Sequence, residues 1–259
     1  MLTVDYIKCC EQGENPPMTG GYLAHQVRQQ AIRPILAFRE YIFRDVMPQF
    51  CDLAQRASLI GNEYYEHAVS QPVNEDCDGD TSEFAEDAHD HALSWYEMMR
   101  SLRQTMLNLL AAGLFHLTEQ QLALLGQNAG FENRQPKSTK LQDVAEWFIS
   151  VLHLDLHGLK DWPLIEELRL VANTAKHAEG GSSEKLKALK PQLFCDPALE
   201  KMFKGTGVKE YLVNRPVVAP LAGENLFVTE SALRHYAESA ESFFREIATM
   251  LDEHENEYY

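Results

Sequence analysis

The sequence predicts an all-α fold, arranged as an antiparallel helical bundle with an N-terminal helical extension. Apolar residues recur at intervals of three and four over five or six long segments, which is the spacing of one face of a helix. No segment shows the strict alternation of apolar and polar residues that is typical of a half-buried strand. We place the extension at residues 1–75 and the bundle at residues 76–259.

The N-terminal part of the chain predicts an irregular start followed by broken helices. Residues 1–19 contain glycine and two prolines and predict a loop or a short arm. From Gly21 to Val69 the apolar residues follow a helical pattern, with Pro34 and Pro48 inside it. Because proline lacks the N–H that a helix interior needs, we expect two or three helical pieces.

An acidic segment separates this region from the bundle. The aspartates at alternating positions of residues 76–80 resemble the start of a calcium-binding loop. However, the sixth position is Thr81, where glycine is usual, and the twelfth is Asp87, where glutamate is usual. Two interpretations stay open: a calcium site, or a solvated acidic loop that caps the next helix through Thr81 or Ser82.

The longest uninterrupted helical pattern covers residues 82–126 and predicts the central core helix. Its broad apolar face is rich in leucine and contains no proline. His116 lies among these leucines, which favours a histidine buried in the core over a ligand. Residues 126–138 are predicted to be a loop.

A shorter helix is predicted from Thr139, with an apolar stripe that ends at Leu152. His153 and His157 follow it, four residues apart, with Asp155 between them. If the helix continues, the two histidines share a face and could hold a divalent metal with a further ligand from elsewhere. The alternative is a polar cluster at the helix end.

The C-terminal third predicts short elements and then a final helix. Residues 182–210 lean basic and are interrupted by proline and glycine, and residues 211–223 are predicted to be extended. A last amphipathic helix begins after Thr229, which is its predicted N-cap.

The best candidate site lies on a helix predicted from Trp162 to His177. Pro163 suits its first turn, and the glycines at positions 180 and 181 suit its end. One stripe is apolar and is predicted to face the core: Ile165, Leu168, Val171, Ala172 and Ala175. The other face is polar and its members are neighbours on a helix surface: Glu166, Arg169, Asn173 and His177, with Lys176 beside them.

Composition limits the classes of function. The chain has 259 residues, 45% hydrophobic and 24% charged, which is ordinary for a globular protein with a real core. The formal charge of −16 argues against a general nucleic-acid coat and leaves room for a local basic patch. No apolar run reaches membrane-spanning length, and the N-terminus lacks a signal pattern, so we expect a cytoplasmic protein. Five scattered cysteines indicate no disulfide framework.

At Asn173-Thr-Ala-Lys-His177 the sequence resembles the HEPN superfamily (higher eukaryote and prokaryote nucleotide-binding), and more closely its bacterial members with an Asn-x-x-Lys-His motif. The resemblance covers roughly residues 82–252. It implies a helical bundle that is often dimeric, and often a metal-independent endoribonuclease of a toxin–antitoxin or phage-defence system. The implied partners are RNA, a second copy of the chain, and an antitoxin or another defence protein. No cofactor, metal or membrane partner is expected.

The resemblance also implies roles for individual residues. His177 would act as general base on a ribose 2′-hydroxyl or as general acid on the leaving oxygen. Arg169 or Lys176 would stabilise the developing negative charge, and Asn173 would orient the phosphate or the imidazole. In active members an arginine precedes the histidine by four to six intervening residues. Here Ala172 occupies that place, and Arg169 lies one turn earlier with seven residues intervening.

Two alternatives to catalysis stay open. The chain would then be a catalytically inactive HEPN-like binding or assembly module with a protein or nucleotide partner. In the plainest interpretation, Asn173 and His177 cap the helix end and contact a neighbouring loop, while Glu166 pairs with Arg169. Leu170, which is apolar on the polar side, is expected to suit a partner surface.

Overall fold

The computed structural model describes residues 20–71, 82–129, 136–202 and 208–256. Within these ranges the chain is helical and contains no β-strand, so the predicted all-α class is confirmed. The predicted loop at 1–19, the acidic residues 76–80 and the Thr81 cap lie outside the described residues. The α-helices are α1 (Gly20–Gln26), α2 (Arg33–Tyr41), α3 (Leu53–Ser70), α4 (Ser82–Asn128), α5 (Leu141–Leu152), α6 (Trp162–His177), α7 (Gly181–Leu189), α8 (Pro197–Met202), α9 (Val208–Val213) and α10 (Glu230–Asn256).

The chain from α1 to Phe50 forms one continuous helical stretch in spite of Pro34. Proline has no N–H to donate and its ring crowds the preceding turn, and the wider π-turn before Pro34 accommodates both effects. The stretch ends where Asp52 adopts a φ of 54°, in the left-handed region. The predicted division into helical pieces therefore occurs after Pro48 and not at Pro34. The segments that are not α-helical are the π-helices Val27–Ile32 and Ile42–Val46 and the 3-10 helix Met47–Phe50.

Helix α4 is the long helix that the periodicity predicts, and it runs two residues further, to Asn128. Its first half packs against α3 through small residues. A Cβ atom at Gly61 of α3 would lie 3.0 Å from the Cβ of Ala92 and 3.1 Å from the carbonyl oxygen of Ala88. The guanidinium of Arg56 covers the Trp95 ring at 5.3 Å from its centroid. Glycine and alanine thus set how closely these two helices approach.

The second half of α4 packs with α6 and α10 around the main core. Each large side chain buried there contributes roughly 1.5–3 kcal/mol through the hydrophobic effect. Leu23 of α1 and Ile35 of α2 belong to the same core, so the described part of the predicted extension packs directly on the bundle. Large core side chains without measurable exposure include Leu107, Leu114, Leu122, Leu168, Phe243 and Phe244.

The connection before α10 is held by one buried side chain of α4. The Asn108 amide donates to the carbonyl oxygens of Pro220 at 2.7 Å and Leu226 at 2.9 Å, and its oxygen accepts from the Val228 N–H at 3.3 Å. The prediction of an extended segment over 211–223 is wrong in part, because α9 reaches Val213 and a 3-10 turn occupies Pro220–Ala222. The fixed φ of Pro220 suits the first position of that turn.

The final helix begins as predicted. The Thr229 hydroxyl oxygen accepts from the Ala232 N–H at 3.1 Å, which confirms the predicted N-cap. No helix in the described ranges, α10 included, combines the length and the apolar character that crossing a bilayer requires.

Candidate functional site

Helix α6 forms where the sequence predicts it, from Trp162 to His177. Pro163 lies in its first turn, where a missing N–H costs no hydrogen bond. The Asp161 carbonyl oxygen accepts from the N–H groups of Leu164 and Ile165. The predicted core stripe is confirmed, because its members are all buried: Ile165, Leu168, Val171, Ala172 and Ala175.

On the first part of the polar face, the charged side chains pair with each other. Arg169 contacts the Glu166 carboxylate through two nitrogens, with Nη2 2.9 Å and Nε 3.1 Å from Oε2. Gln142 of α5 donates to the other carboxylate oxygen at 2.9 Å. The predicted pairing of Glu166 with Arg169 is therefore confirmed, and the arginine is held at a carboxylate. Arg169 and His177 are eight positions apart, which is about 12 Å along the helix axis.

The last turn of α6 is open. Lys176 and His177 are exposed and Asn173 is half-buried. Within the described residues, neither the Asn173 side chain nor the His177 imidazole makes a hydrogen bond. The described residues therefore do not form the arrangement in which these two side chains cap the helix or bind a neighbouring loop. The catalytic assignments of His177, Lys176, Asn173 and Arg169 stay predictions.

The chain that follows His177 is firmly anchored. Ala178 ends α6 with a φ of 59°. The Glu179 carboxylate accepts from the Val217 N–H at 2.6 Å and from the Lys187 ammonium at 3.2 Å. The backbone hydrogen bond from Val217, assisted by Lys187, lowers the pKa of Glu179 below its ordinary value. The open turn is therefore presented by an ordered helix end.

A histidine of α4 lies beside this open turn. The Nε2 atom of His116 is 3.0 Å from the Lys176 ammonium nitrogen, and its Nδ1 atom is 3.5 Å from Oε2 of Glu119. The other Glu119 oxygen accepts from the Leu141 N–H at 3.2 Å, at the start of α5. The prediction that His116 is a core histidine is wrong, because its side chain is 35% exposed. The histidine and Glu119 three residues later were the sequence signal for this cluster, since that spacing makes helix neighbours.

A second polar cluster lies on the buried side of α6. The Tyr236 hydroxyl donates to Oε1 of Glu167 at 2.6 Å, and the Lys190 ammonium lies 3.2 Å from the other oxygen. Burial and the contact with Glu167 raise the pKa of Tyr236 far above its ordinary value. This cluster joins α6 to α10 and to the end of α7. A glutamate between apolar stripe positions was its signal in the sequence.

Two neighbouring positions of α6 face the core. Leu170 is only 8% exposed and belongs to the core cluster, so the expectation that it forms a partner surface is wrong. Ala172 is 0% exposed. The place that the HEPN resemblance gives to the arginine therefore faces the interior of this molecule, where an unpaired cation would be costly.

The condition for a metal site at the end of α5 is not met. The helix ends at Leu152, and His153 adopts a φ of 56°, so His153 and His157 do not share a helix face. Nδ1 of His157 lies 3.0 Å from Asp155, as in a local polar cluster. Among the described residues, no group of three or more His, Cys, Asp and Glu side chains is arranged to hold a metal ion.

In comparisons with protein-family models, curated proteins and solved structures, none matches this chain. The HEPN resemblance therefore depends on the short motif and its context. The function has to be argued from the site.

Proposed function

We propose that this protein is a HEPN-like, metal-independent endoribonuclease that acts through the open last turn of α6. One observation carries the proposal: His177 and Asn173 make no hydrogen bond within the described residues and lie beside an exposed lysine. An imidazole, an amide and an ammonium on one helix turn are the groups that phosphodiester cleavage needs in the absence of a metal.

The proposed reaction is attack of a ribose 2′-oxygen on the adjacent phosphorus. His177 would take the 2′-hydroxyl proton as base, or give a proton to the departing 5′-oxygen as acid. A new bond forms between the 2′-oxygen and phosphorus while the bond to the 5′-oxygen breaks, and water accepts or supplies the proton that His177 does not transfer. The products are a 2′,3′-cyclic phosphate and a 5′-hydroxyl. Lys176 would stabilise the charge that builds on the phosphate oxygens, and Asn173 would orient the phosphate.

In this proposal Lys176 takes the role that the resemblance offers to either Lys176 or Arg169. The Arg169 guanidinium is occupied by Glu166 and lies about 12 Å along the axis from His177. Lys176 directly precedes His177, and within the described residues its ammonium contacts a histidine nitrogen, Nε2 of His116, and no carboxylate. A role in a toxin–antitoxin or phage-defence system, with a second copy of the chain and an antitoxin as partners, belongs to the same proposal.

The deciding experiment is RNA cleavage by the purified protein in the presence of EDTA. We expect the wild type to cleave single-stranded RNA and His177→Ala to lose about 100-fold or more of that rate, which is the contribution typical of a general acid or base. His235→Ala is the matched control, because His235 is also an exposed helical histidine but lies on α10. No cleavage by the wild type, or equal cleavage by His177→Ala, would refute the proposal.

A second candidate function is a non-catalytic RNA- or nucleotide-binding module. The observation that favours it is the burial of Ala172 together with the engagement of Arg169 by Glu166, since neither position offers a free cation next to His177. This module would bind single-stranded RNA in EDTA and leave it intact. Binding without cleavage by the wild type selects this candidate over the nuclease.

A further inference from the structure

The contact between Lys176 and His116 indicates which nitrogen of the imidazole accepts a hydrogen bond. A lysine ammonium has three donors and no acceptor, so the nitrogen it meets at 3.0 Å must offer a lone pair. We therefore assign Nε2 of His116 as the acceptor of this contact, which places the ring proton on Nδ1. That proton faces the Glu119 carboxylate, 3.5 Å away.

Glu119 is itself held in place, which makes the arrangement more than a chance contact. Its second oxygen accepts from the Leu141 N–H at the start of α5, and its side chain is only 20% exposed. The carboxylate thus links the first turn of α5 to the imidazole of His116 and keeps the Nε2 side of the ring turned toward Lys176. Three helices meet at this cluster: α4, α5 and α6.

We propose that Lys176 and His116 together form the binding site for one phosphate of RNA, next to His177. This inference rests on the proposed function, because it names the group that holds the substrate phosphate. Of the arginine and the lysine on α6, Arg169 is bound to a carboxylate, and Lys176 contacts a histidine ring nitrogen. A phosphate oxygen is a stronger partner for an ammonium than an imidazole lone pair is.

Phosphate binding changes the protonation state of the cluster. When the Lys176 ammonium turns to the phosphate, Nε2 of His116 takes up a proton from water and becomes a second donor to the same anion. Among the described residues, the charged groups that face His116 are Glu119 on its own helix and Lys176 on α6. Glu119 balances the imidazolium, and the single negative charge of the phosphate balances Lys176.

The test uses a 2′-O-methyl RNA oligonucleotide, which keeps the phosphates but lacks the attacking hydroxyl. Two-bond ¹H–¹⁵N NMR should report an unprotonated Nε2 on His116 in the free protein and a protonated Nε2 at saturation. Lys176→Met should weaken binding about tenfold and lower the slope of log affinity against log salt by about 0.7, the value for one lost phosphate contact. Lys185→Met, at an exposed lysine of α7, is the matched control and should bind like the wild type.

Three results would overturn the inference. One is a His116 imidazole whose ¹⁵N shifts stay unchanged at saturation, and another is equal affinity and salt slope for Lys176→Met and the wild type. The third is saturation by inorganic phosphate with no binding of the oligonucleotide, which would assign the site to free phosphate.

The outcome is independent of cleavage. His116 protonation by the oligonucleotide without any nuclease activity would keep the phosphate site and reject the nuclease. Cleavage that needs His177, together with unchanged oligonucleotide affinity for Lys176→Met and His116→Gln, would reject the phosphate site and keep the nuclease.

Discussion

Glu166 and Glu167 are adjacent in sequence and have opposite environments. Glu166 is partly exposed and pairs with Arg169 on the same helix, three residues away. Glu167 is 6% exposed and binds Tyr236, 69 residues away in sequence, and Lys190 at the end of α7. One step along a helix turns a side chain by about 100°, which is enough to move a carboxylate from the surface into the core boundary. The first carboxylate pairs within α6, whereas the second links α6 to α10 and to the end of α7.

The largest expected effect on stability distinguishes substitutions at these two glutamates. Glu167→Ala should lower the free energy of unfolding by about 2–4 kcal/mol, because it leaves the buried Tyr236 hydroxyl and part of the Lys190 ammonium without a partner. Glu166→Ala should cost about 0.5 kcal/mol or less, as expected for a pair within one helix that water partly screens. Urea unfolding followed by circular dichroism measures both. Equal losses for the two variants would mean that burial does not distinguish these carboxylates.

A smaller effect on the free energy of unfolding should appear at alkaline pH, where Tyr236 ionises in the unfolded chain. Because its pKa is raised in the folded state, its stabilising contribution is complete below pH 10, the ordinary tyrosine pKa, and is lost as the pH rises above it. The stability difference between the wild type and Tyr236→Phe should therefore shrink by roughly 1 kcal/mol between pH 10 and pH 11. Comparing the two proteins cancels the other tyrosines. A difference that stays constant over this range would mean that Tyr236 ionises equally in the folded and unfolded chain.

The smallest effect is expected at Arg169. Arg169→Ala should lower the free energy of unfolding by about 0.5 kcal/mol or less, since it removes an ion pair within one helix whose side chains are 26% and 25% exposed. Its effect on RNA cleavage should stay within about threefold, whereas His177→Ala loses about 100-fold. Cleavage assays on both variants at one RNA concentration test this contrast. A loss at Arg169 as large as that at His177 would show that the arginine leaves Glu166 to act on the substrate.

The sequence was sufficient for features that depend on local spacing. The long helix, the helix from Trp162 to His177, its core stripe and the Thr229 cap follow from periodicity and from residues within one turn of each other. The environments of His116 and Leu170 were mispredicted, because they depend on which distant helix packs there. His116 and Lys176 are 60 residues apart, and no local pattern records that they meet.

The same limit applies to the buried cluster at Glu167. Its glutamate interrupts an apolar pattern, so the sequence signals a polar group near the core. The partner, Tyr236, lies on the last helix, and nothing in the sequence around it signals that its hydroxyl is needed. Periodicity predicts which face of a helix is buried. Only the packed structure shows which polar partners are buried with it.

Gly223 and Gly113 differ in how much space a side chain would have. Gly223 has a φ of 79°, and a Cβ atom there would lie 2.6 Å from the Ser101 carbonyl oxygen, so no other residue fits without moving backbone. Gly113 lies on the outer side of the long helix. A Cβ atom added there would have no atom of the described residues within 4 Å, apart from its chain neighbours and its own helix backbone. Sequences that diverge from this one while keeping its fold should hold glycine at the first position and vary freely at the second. A close backbone approach thus restricts the residue type at position 223, whereas open space at position 113 does not.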